Sequence, residues 1–453
     1  MTDNIENDFH MSPIKIKKFL IALLFIVNIA IIFIIWSNGS RYYISNPFIG
    51  GGIYIALGRI TGLLGEYFLL MQLVLIGRMR WLEHVFGFDK LNQIHRWTGY
   101  SILVLLLSHP ILLVIGNSIA NGVSYFAQFA DYLANKEDVL IAFVGLMILT
   151  YVVFLSIVVV KRKLRYETWY FVHLLTYLAI GLALSHQFET GDLREGVYLY
   201  YWYALNFVIF GMILAYRFLR PLVLFTRHRF VIYNVVQESH NVWSLYITGR
   251  KIDDFKFKSG QYVNINILSK GMWYSHPFSF SDSYNGKYLR FTIKNSGDFT
   301  SLISGVRPGM HVIIDGPLGL FVDSIAGRNK FLFIAGGIGI TPLLSMSKSL
   351  ASKGEDVILL YGVRSIQDLV FKNEINDLCS RSTNFKAYYI LSTPATGFDV
   401  GYIDEEKIKK FVPDFNMREV FLCGPLIMME AVNKSLKNIG FSDKNIHYEK
   451  FSF

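Results

Sequence analysis

The chain divides into an apolar part before residue 221 and a part of mixed character after it. A run that crosses a bilayer as a helix needs about 20 predominantly apolar residues, and such runs occur only in the first part. They predict six membrane helices. The predicted bounds are 19–40, 53–77, 94–115, 139–160, 168–188 and 197–217.

The pattern changes from Phe230 onward. Short alternating runs at 262–268 and 288–293 lie between Gly, Ser and Asp turns, which is typical of strands. After Lys330, apolar strands at 331–335 and 357–361 alternate with helical stretches, which predicts an α/β unit with a parallel sheet. The predicted fold class is a multidomain membrane protein: a six-helix bundle, a β-rich domain and an α/β domain.

Composition agrees with a membrane protein. Hydrophobic residues make up 53% and charged residues 17%, against roughly 25% charged in an average soluble protein. This excludes a disordered or fibrous chain and a soluble nucleic-acid binder. The net charge of +10 comes from basic clusters before the first helix and after the second, fourth and sixth, which places both termini in the cytoplasm. Two cysteines cannot form a disulfide framework.

Four histidines lie inside predicted membrane helices, where ionisable residues are costly and therefore candidates for function. His95 and His109 belong to the third helix, and His173 and His186 to the fifth. Each pair is separated by about 20 Å along its helix, so the four predict two levels at which two histidines clamp one haem iron. The alternative is that they hydrogen-bond across helices or line a polar cavity. The 13-residue spacing also requires an irregular fifth helix.

Arg59 lies in the outer half of the second helix. A buried arginine there is suited to a haem propionate or to an anionic product. The alternative is a structural partnership with Glu66, seven residues further along the same helix.

Three segments after Phe230 indicate a flavin site. They are Gly260–Val263, the run His276, Pro277, Phe278 and Ser279, and the turn Asp315–Gly319. Each alone is an ordinary turn, but together in this order they favour flavin binding. Between them, Lys294, Gly297 and Thr300 fit a loop and helix start whose backbone N–H groups could hold a pyrophosphate.

A strand, a glycine turn and a helix follow at residues 331–342, the context of a dinucleotide-binding turn. Glycine there lets the backbone approach phosphates closely. Arg364, at the end of the next strand, is positioned for a 2′-phosphate, which favours NADPH, with packing beside adenine as the alternative. Cys423 suits a nicotinamide contact, or is a buried core thiol. The terminal Phe453 could cover a flavin ring.

Taken together, residues 50–453 resemble the ferric reductase and NADPH oxidase family, most closely its bacterial single-chain members. The resemblance implies six helices with two b-type haems, an FAD-binding β-barrel and a nucleotide domain like that of ferredoxin-NADP reductases. It implies domains at 1–17 (an N-terminal segment), 18–222, 223–327 and 328–453. It makes His95 and His173 ligands of the inner haem, and His109 and His186 ligands of the outer haem.

The resemblance also assigns roles in the later domains. His276, Pro277, Phe278 and Ser279 would bind FAD, and Ser279 would lie near the reactive flavin nitrogen. Gly336, Gly337, Gly339, Thr341 and Pro342 would hold the pyrophosphate of the nucleotide. Cys423, Gly424 and Pro425 would line the nicotinamide pocket, and Phe453 would stack on the flavin. The catalytic candidates are therefore Ser279, Cys423, Phe453 and Arg59.

The function expected from these features is transmembrane electron transfer in a six-pass protein of a bacterial inner membrane. Electrons would pass from cytosolic NADPH, or NADH, through FAD and two haems to an outside acceptor, first of all O2, giving superoxide. Two alternatives change only the acceptor, to a ferric chelate or to a periplasmic protein partner. A third is a haem-free proton or ion pathway. No regulatory subunit is expected, and without an EF-hand loop calcium control is not expected either.

Overall fold

The computed structural model describes residues 13–136, 138–162, 166–189, 193 and 196–450. The chain forms two compact units, Met1–Arg217 and Phe218–Phe453. Phe453 and the loop residues Lys163 and Arg165 lie outside the described residues.

Six helices of the described chain are long and apolar enough to cross a membrane, as the hydrophobic pattern predicts. Their spans follow the predicted ones closely, with the third and sixth longer than expected. The spans are Ile14–Gly39, Gly52–Ile76, Phe88–Asn121, Val139–Ile157, Thr168–Phe188 and Val197–His228.

All regular secondary structure in the described residues of the first unit is helical. Its helices are α1 (Pro13–Gly39), α2 (Arg41–Ser45), α3 (Gly52–Ile76), α4 (Arg80–Phe86), α5 (Phe88–Asn121), α6 (Tyr125–Asn135), α7 (Val139–Arg162), α8 (Tyr166–Leu184), α9 (His186–Glu189) and α10 (Val197–Ile213). Helix α5 continues through Pro110. Helix α6 lies in a stretch predicted as a loop, and it begins where the Ser124 hydroxyl accepts a hydrogen bond from the Ala127 N–H.

Helix α3 is the most buried of the six candidate spans. Leu70 and Tyr67 on this helix belong to the two apolar clusters that form the core of the first unit. Two of its polar side chains, Glu66 and Gln72, are also buried. Buried polar groups need partners or carry function, so this helix is a candidate part of the functional site together with the histidines.

The second unit begins with α11 (Arg220–His228), inside which the predicted boundary between residues 222 and 223 falls. Two three-stranded antiparallel sheets follow and share one apolar core. Their strands are β1 (Val231–Ser239), β2 (Val242–Thr248), β3 (Tyr262–Ile267), β4 (His276–Ser279), β5 (Leu289–Lys294) and β6 (Val312–Leu318).

The strand orders are β1-β2-β5 and β4-β3-β6. Isolated bridges between Val231 and His311, and between Phe280 and Phe291, connect the two sheets. The structure confirms that this region is β-rich, with two sheets joined by two bridges. A closed barrel stays a prediction. Helix α12 (Asp298–Ser301) follows β5.

The last part is the predicted α/β unit, with six parallel strands in the order β10-β9-β8-β7-β11-β12. The strands are β7 (Lys330–Gly336), β8 (Asp356–Val363), β9 (Phe385–Leu391), β10 (Asp399–Val400), β11 (Glu419–Gly424) and β12 (Ile446–Lys450). The helices are α13 (Ile340–Ser352), α14 (Lys372–Arg381), α15 (Glu405–Phe411) and α16 (Leu426–Asn438).

This strand order fixes where a ligand can bind. From β7 the chain proceeds to β8 and β9 on one side, and it later returns to place β11 on the other side of β7. Ligands of open α/β sheets bind at such a switch point, at the carboxyl ends of the strands. The glycine turn after β7 and residues Cys423 and Gly424 at the end of β11 both lie there.

Candidate functional site

The inner histidines face each other across two helices. The ring centroids of His95 and His173 are 6.2 Å apart, with the rings inclined at 66°. A metal bound by an imidazole nitrogen at about 2.0 Å on each side would separate two ring centroids by about 6 Å. The Nδ1 atom of His95 is buried and has no hydrogen-bond partner among the described residues. The pair therefore fits one iron between two axial imidazoles.

Side chains around this inner pair hold its backbone and rings. Gln72 donates from Nε2 to the His95 carbonyl oxygen at 3.0 Å and to the Thr98 hydroxyl at 2.8 Å. Nδ1 of His173 lies 3.4 Å from the Ser156 hydroxyl, which also accepts from Trp169 Nε1 at 3.0 Å. Sequence reasoning missed Gln72, Ser156 and Trp169. The signal that could have found Gln72 is that it is a polar residue within an apolar helix.

The outer histidines are held by backbone carbonyl groups. His109 Nδ1 is 2.7 Å from the Gly58 carbonyl oxygen, and His186 Nδ1 is 2.6 Å from the Ala183 carbonyl oxygen. A carbonyl oxygen only accepts, so in both rings Nδ1 carries the hydrogen and Nε2 keeps its lone pair. This is the tautomer of a metal-ligating imidazole whose second nitrogen is anchored.

The fifth membrane helix has the irregularity that the 13-residue spacing requires. Helix α8 ends at Leu184, a turn occupies Ser185, and a short helix begins at His186. The interruption changes the direction of His186 relative to His173. The Ala183 carbonyl oxygen, just before the turn, then accepts from both His186 Nδ1 and Gln187 Nε2.

The donor set suits haem better than a bare metal ion. Among the described residues, no group of three or more His, Cys, Asp or Glu side chains could hold a metal ion. Paired imidazoles without further ligands suit an iron whose four equatorial ligands come from a macrocycle. The fit to haem rests on two observations: the ligands are imidazoles, and the ring centroids of His95 and His173 are 6.2 Å apart.

Arg59 makes contacts within the first unit that neither sequence interpretation foresaw. Its Nη1 donates to the Gly39 carbonyl oxygen at 3.0 Å, and its guanidinium lies 5.0 Å from the centroid of the Tyr43 ring. Glu66 instead lies beside the Gln187 side chain, and its Oε1 has no partner among the described residues. A role for Arg59 toward a propionate or an anionic product stays a prediction.

The three predicted flavin segments meet on one sheet, because β3 pairs with both β4 and β6. Tyr262 is opposite Ser279 on one side and Leu318 on the other. A Cβ atom at Gly316 would lie 2.4 Å from the Val263 side chain, so glycine lets β6 approach β3 closely there. The segments that were weak signals separately therefore form one continuous surface.

Ser279 is the clearest candidate for a flavin contact. It is 5% exposed, and its hydroxyl has no hydrogen-bond partner among the described residues. An unpaired buried hydroxyl needs a partner, and a flavin ring nitrogen would supply one. Beside it, the His276 ring packs 4.2 Å from the ring of Phe299, and Pro277 and Phe278 are partly exposed. These features fit FAD.

Some backbone amides of the predicted pyrophosphate loop are hydrogen-bonded within the loop. The N–H groups of Ser296 and Gly297 both donate to Thr300 Oγ1, at 2.9 and 2.8 Å. These two amides are therefore engaged by Thr300 itself, because Thr300 caps the short helix α12. The pyrophosphate contacts of Lys294, at the end of β5, and of Gly297 and Thr300 stay predictions.

The glycines of the nucleotide turn serve two different purposes. A Cβ atom at Gly339 would lie 2.2 Å from the Cys423 carbonyl oxygen, and one at Gly336 would lie 2.2 Å from the Met428 sulfur. Gly339 lets the turn after β7 approach the end of β11, and Gly336 leaves room for the Met428 side chain on α16. Of the three glycines in this turn, Gly337 is the one that combines a positive φ, 51°, with open space where a Cβ atom would lie. It is therefore the glycine of the turn best suited to a phosphate.

The other residues predicted to contact the nucleotide differ in their exposure. The Thr341 hydroxyl donates to the Ile338 carbonyl oxygen at 3.0 Å, and Thr341 and Pro342 are buried. At the end of β8, the Arg364 side chain is exposed. An exposed guanidinium at the carboxyl end of this strand is available to a 2′-phosphate.

Cys423 lies in the apolar core of the nucleotide half and is 0% exposed. Burial raises the pKa of its thiol well above the usual range. A Cβ atom at Gly424 would lie 3.0 Å from the Gly336 α-carbon, whereas Pro425 is exposed. The core-thiol alternative thus describes Cys423 as the structure has it, and its nicotinamide contact stays a prediction.

The fold and these sites define a class: a membrane-spanning protein with a dinucleotide-dependent flavoprotein half. Comparison with known families gives the same answer. Residues 61–184 match the ferric reductase like transmembrane component, residues 227–320 an FAD-binding domain and residues 333–434 an oxidoreductase NAD-binding domain. The order of these three domains is the ferric reductase and NADPH oxidase architecture, as the sequence motifs indicate.

Individual relatives match about half of the chain. The glycine betaine monooxygenase reductase subunit of Chromohalobacter salexigens is 29% identical over 237 residues, which is 50% of this chain and 64% of the relative. Flavohemoprotein A of Dictyostelium discoideum is 31% identical over 244 residues, 49% of this chain and 59% of the relative. The chain thus spans less than two thirds of either relative.

One solved structure to which the chain is similar is the flavohem-like FAD/NAD binding domain of nitric oxide dioxygenase from Vibrio cholerae O1 biovar El Tor. It is 24% identical with a TM-score of 0.44, and the match covers 49% of this chain and 97% of that chain.

Proposed function

We propose that this chain is a six-pass oxidoreductase that carries electrons from cytosolic NADPH across a membrane to an acceptor on the other side. O2 is the acceptor we propose first, with superoxide as the product. The observation that carries the proposal is the inner histidine pair, whose 6.2 Å ring separation suits one haem iron. We also propose cytoplasmic termini, the domain limits 1–17, 18–222, 223–327 and 328–453, and a bacterial inner membrane.

When bound, FAD would supply the conversion of a two-electron hydride donor, NADPH, into single-electron steps for haem. The chain's own residues bind and orient. The Ser279 hydroxyl would hydrogen-bond the flavin ring, Gly337 would let the backbone approach the pyrophosphate, and Arg364 would select the 2′-phosphate. The four histidines would hold two haem irons through imidazole nitrogens, and the haems when bound would supply one-electron transfer toward O2.

Phe453 and Pro425 complete the proposed hydride-transfer site. Pro425 is exposed at the end of β11, where the nicotinamide would lie at the switch point of the sheet. We propose that Phe453 covers the flavin until the nicotinamide replaces it.

The deciding experiment measures NADPH oxidation by the haem- and FAD-loaded full chain in lipid nanodiscs. In air, reduction of cytochrome c that superoxide dismutase suppresses is the expected result. NADPH consumption only after a ferric chelate is added would replace the oxidase proposal with a ferric-chelate reductase. If turnover needs neither but requires a purified periplasmic protein, that partner is the acceptor.

Haem content tests the ligand assignment independently of turnover. Replacing His109 or His186 by Ala should remove the outer haem while leaving the inner one. A His109→Ala protein that keeps both haem signals would contradict the assignment. Purified wild-type protein without a Soret band would instead favour the haem-free ion pathway.

A further inference from the structure

Four alternately charged side chains lie between the flavin sheets and the helices of the nucleotide half. Arg290 on β5 pairs with Glu374 on α14 at 3.0 Å, and Lys348 on α13 pairs with Asp282 at 2.7 Å. Lys348 also contacts Glu374, and Arg290 lies 4.0 Å from Asp282. We call these four residues the ion-pair network. It joins two structural parts within the second unit.

The ion-pair network is largely withdrawn from solvent. The side chains of Arg290 and Asp282 are 4% and 9% exposed, and those of Lys348 and Glu374 are 22% and 26% exposed. Burial alone would raise the pKa of Asp282, but the charges of Arg290 and Lys348 hold it below its usual range. Two cations therefore face two anions. Buried ion pairs are weak sources of stability, because desolvation offsets their attraction, so their retention calls for another reason.

One side of the ion-pair network holds the flavin strand. Arg290 donates from Nη2 to the Ser281 carbonyl oxygen at 2.5 Å and from Nε to the Ser281 hydroxyl at 3.2 Å. Ser281 is two residues beyond Ser279, the proposed flavin contact. The Ser345 hydroxyl on α13 donates to the Asp282 carbonyl oxygen at 2.7 Å. The backbone just after Ser279 is thus fixed from both parts.

The other side of the ion-pair network holds the nucleotide-binding elements. Lys348 lies on α13, the helix that starts directly after the turn containing Gly337. Helix α14 begins next to Phe371, a buried non-glycine residue with a φ of 63°, whose ring lies 4.6 Å beneath the Arg290 guanidinium. A left-handed conformation is costly for phenylalanine, and here it places the ring and Glu374 around the same arginine.

We infer that the ion-pair network is a positioning device for hydride transfer, which ties the nucleotide-binding helices to the strand carrying Ser279 and so sets the distance between nicotinamide and flavin. This inference rests on the proposed function. The network residues act through Ser279 and α13, so they are positioning residues. Hydride transfer depends steeply on the distance between donor and acceptor, and small domain displacements should therefore slow it.

The test compares Glu374→Gln with Asp377→Asn in the full, FAD-loaded chain. Both changes neutralise one carboxylate on α14, but among the described residues the ion-pair partner of Asp377 is the exposed Arg381. Anaerobic stopped-flow absorbance gives the rate of flavin reduction by NADPH, and calorimetry gives the Kd of NADP⁺. The long-wavelength charge-transfer band of the flavin–nicotinamide complex reports ring stacking. Thermal unfolding is followed in parallel.

For Glu374→Gln we expect flavin reduction slower by on the order of tenfold, a weaker charge-transfer band, normal FAD content and nearly unchanged Kd. Asp377→Asn should match the wild type. A Glu374→Gln protein with wild-type rate and band overturns the inference. Wild-type protein that fails to reduce its flavin with NADPH would instead refute the proposed function, so the two failures are distinct.

A double variant separates positioning from stability. Lys348→Gln combined with Glu374→Gln removes one charge of each sign and restores neutrality, which protects folding if the single variant unfolds. We expect its unfolding midpoint to recover while flavin reduction stays slow. Recovery of the rate together with the midpoint would show that only the charge imbalance mattered, and it would overturn the positioning role.

Discussion

Replacing Gly62 by Ala should remove the outer haem without changing any proposed ligand. Gly62 lies on α3, opposite the ring of His109 on α5. A Cβ atom added at Gly62 would lie 2.5 Å from His109 Nδ1 and 2.7 Å from its Cε1. The ring cannot rotate away freely, because Nδ1 is hydrogen-bonded to the Gly58 carbonyl oxygen at 2.7 Å. The added methyl group therefore competes with the position that ligation requires.

The size of the displacement decides the outcome. Ordinary contact begins at 3.4 Å, so the ring must retreat by about 1 Å, whereas metal-ligand distances hold to within about 0.2 Å. We expect the outer haem to be lost and the inner haem, at His95 and His173, to remain. Haem extracted as its pyridine complex, measured per chain, should fall to half of the wild-type value. Reduced-minus-oxidised spectra should show a single remaining component.

Gly211→Ala is the matched control. Gly211 lies on α10, where an added Cβ atom would have no described atom within 4 Å apart from its chain neighbours and the backbone of its own helix, and this variant should keep the wild-type haem content. Both variants add one methyl group to a membrane helix, so a general effect on insertion would appear in both. A Gly62→Ala protein with full haem content and an unchanged spectrum would refute the placement of His109 at an iron.

Four further predictions concern the second unit. Arg364→Ala should raise the KM for NADPH on the order of tenfold and leave that for NADH unchanged; equal effects on both would remove the NADPH preference. Ser279→Ala should retain FAD but slow anaerobic flavin reduction on the order of tenfold, and a normal rate would exclude its role at the flavin ring. Gly339→Ala should lower the thermal unfolding midpoint, because its Cβ atom would meet the Cys423 carbonyl oxygen at 2.2 Å; an unchanged midpoint would contradict that packing. Burial raises the pKa of Cys423, so its thiol should resist iodoacetamide at pH 8, and rapid labelling found by mass spectrometry would show that it is accessible.

Most of the fold could be predicted because its signals are local. Membrane helices must satisfy their own backbone groups and expose apolar side chains, so a run of apolar residues is sufficient to find them, and all six predicted spans are present. The parallel sheet was equally readable from alternating strands and helices. Helix α6 was missed because its amphipathic pattern lies between two spans and contains polar residues typical of loops.

The flavin and nucleotide segments could be found from sequence, but the task of each residue could not. Thr300 resembled a phosphate ligand, yet its hydroxyl accepts hydrogen bonds from the loop's own amides. Gly336 and Gly339 resemble phosphate contacts in the sequence, and in the structure they also make room for neighbouring atoms, the Met428 sulfur at Gly336 and the Cys423 carbonyl oxygen at Gly339. These distinctions depend on which backbone lies opposite a residue in three dimensions, and a single sequence carries no information about that partner.

The sequence identifies the four membrane histidines but not the groups that hold their rings. A histidine in an apolar helix is visible in the sequence, but the carbonyl group that anchors its second nitrogen has no side-chain signature. Here the two outer rings donate to the carbonyls of Gly58 and Ala183, whereas Nδ1 of His95 has no partner among the described residues. A hydrogen bond from Nδ1 makes an imidazole a stronger donor to its metal and stabilises the oxidised iron. Both outer rings are held in this way, and at the inner level the Ser156 hydroxyl lies 3.4 Å from Nδ1 of His173, so His95 is the ring of the four that the described residues leave without such an anchor.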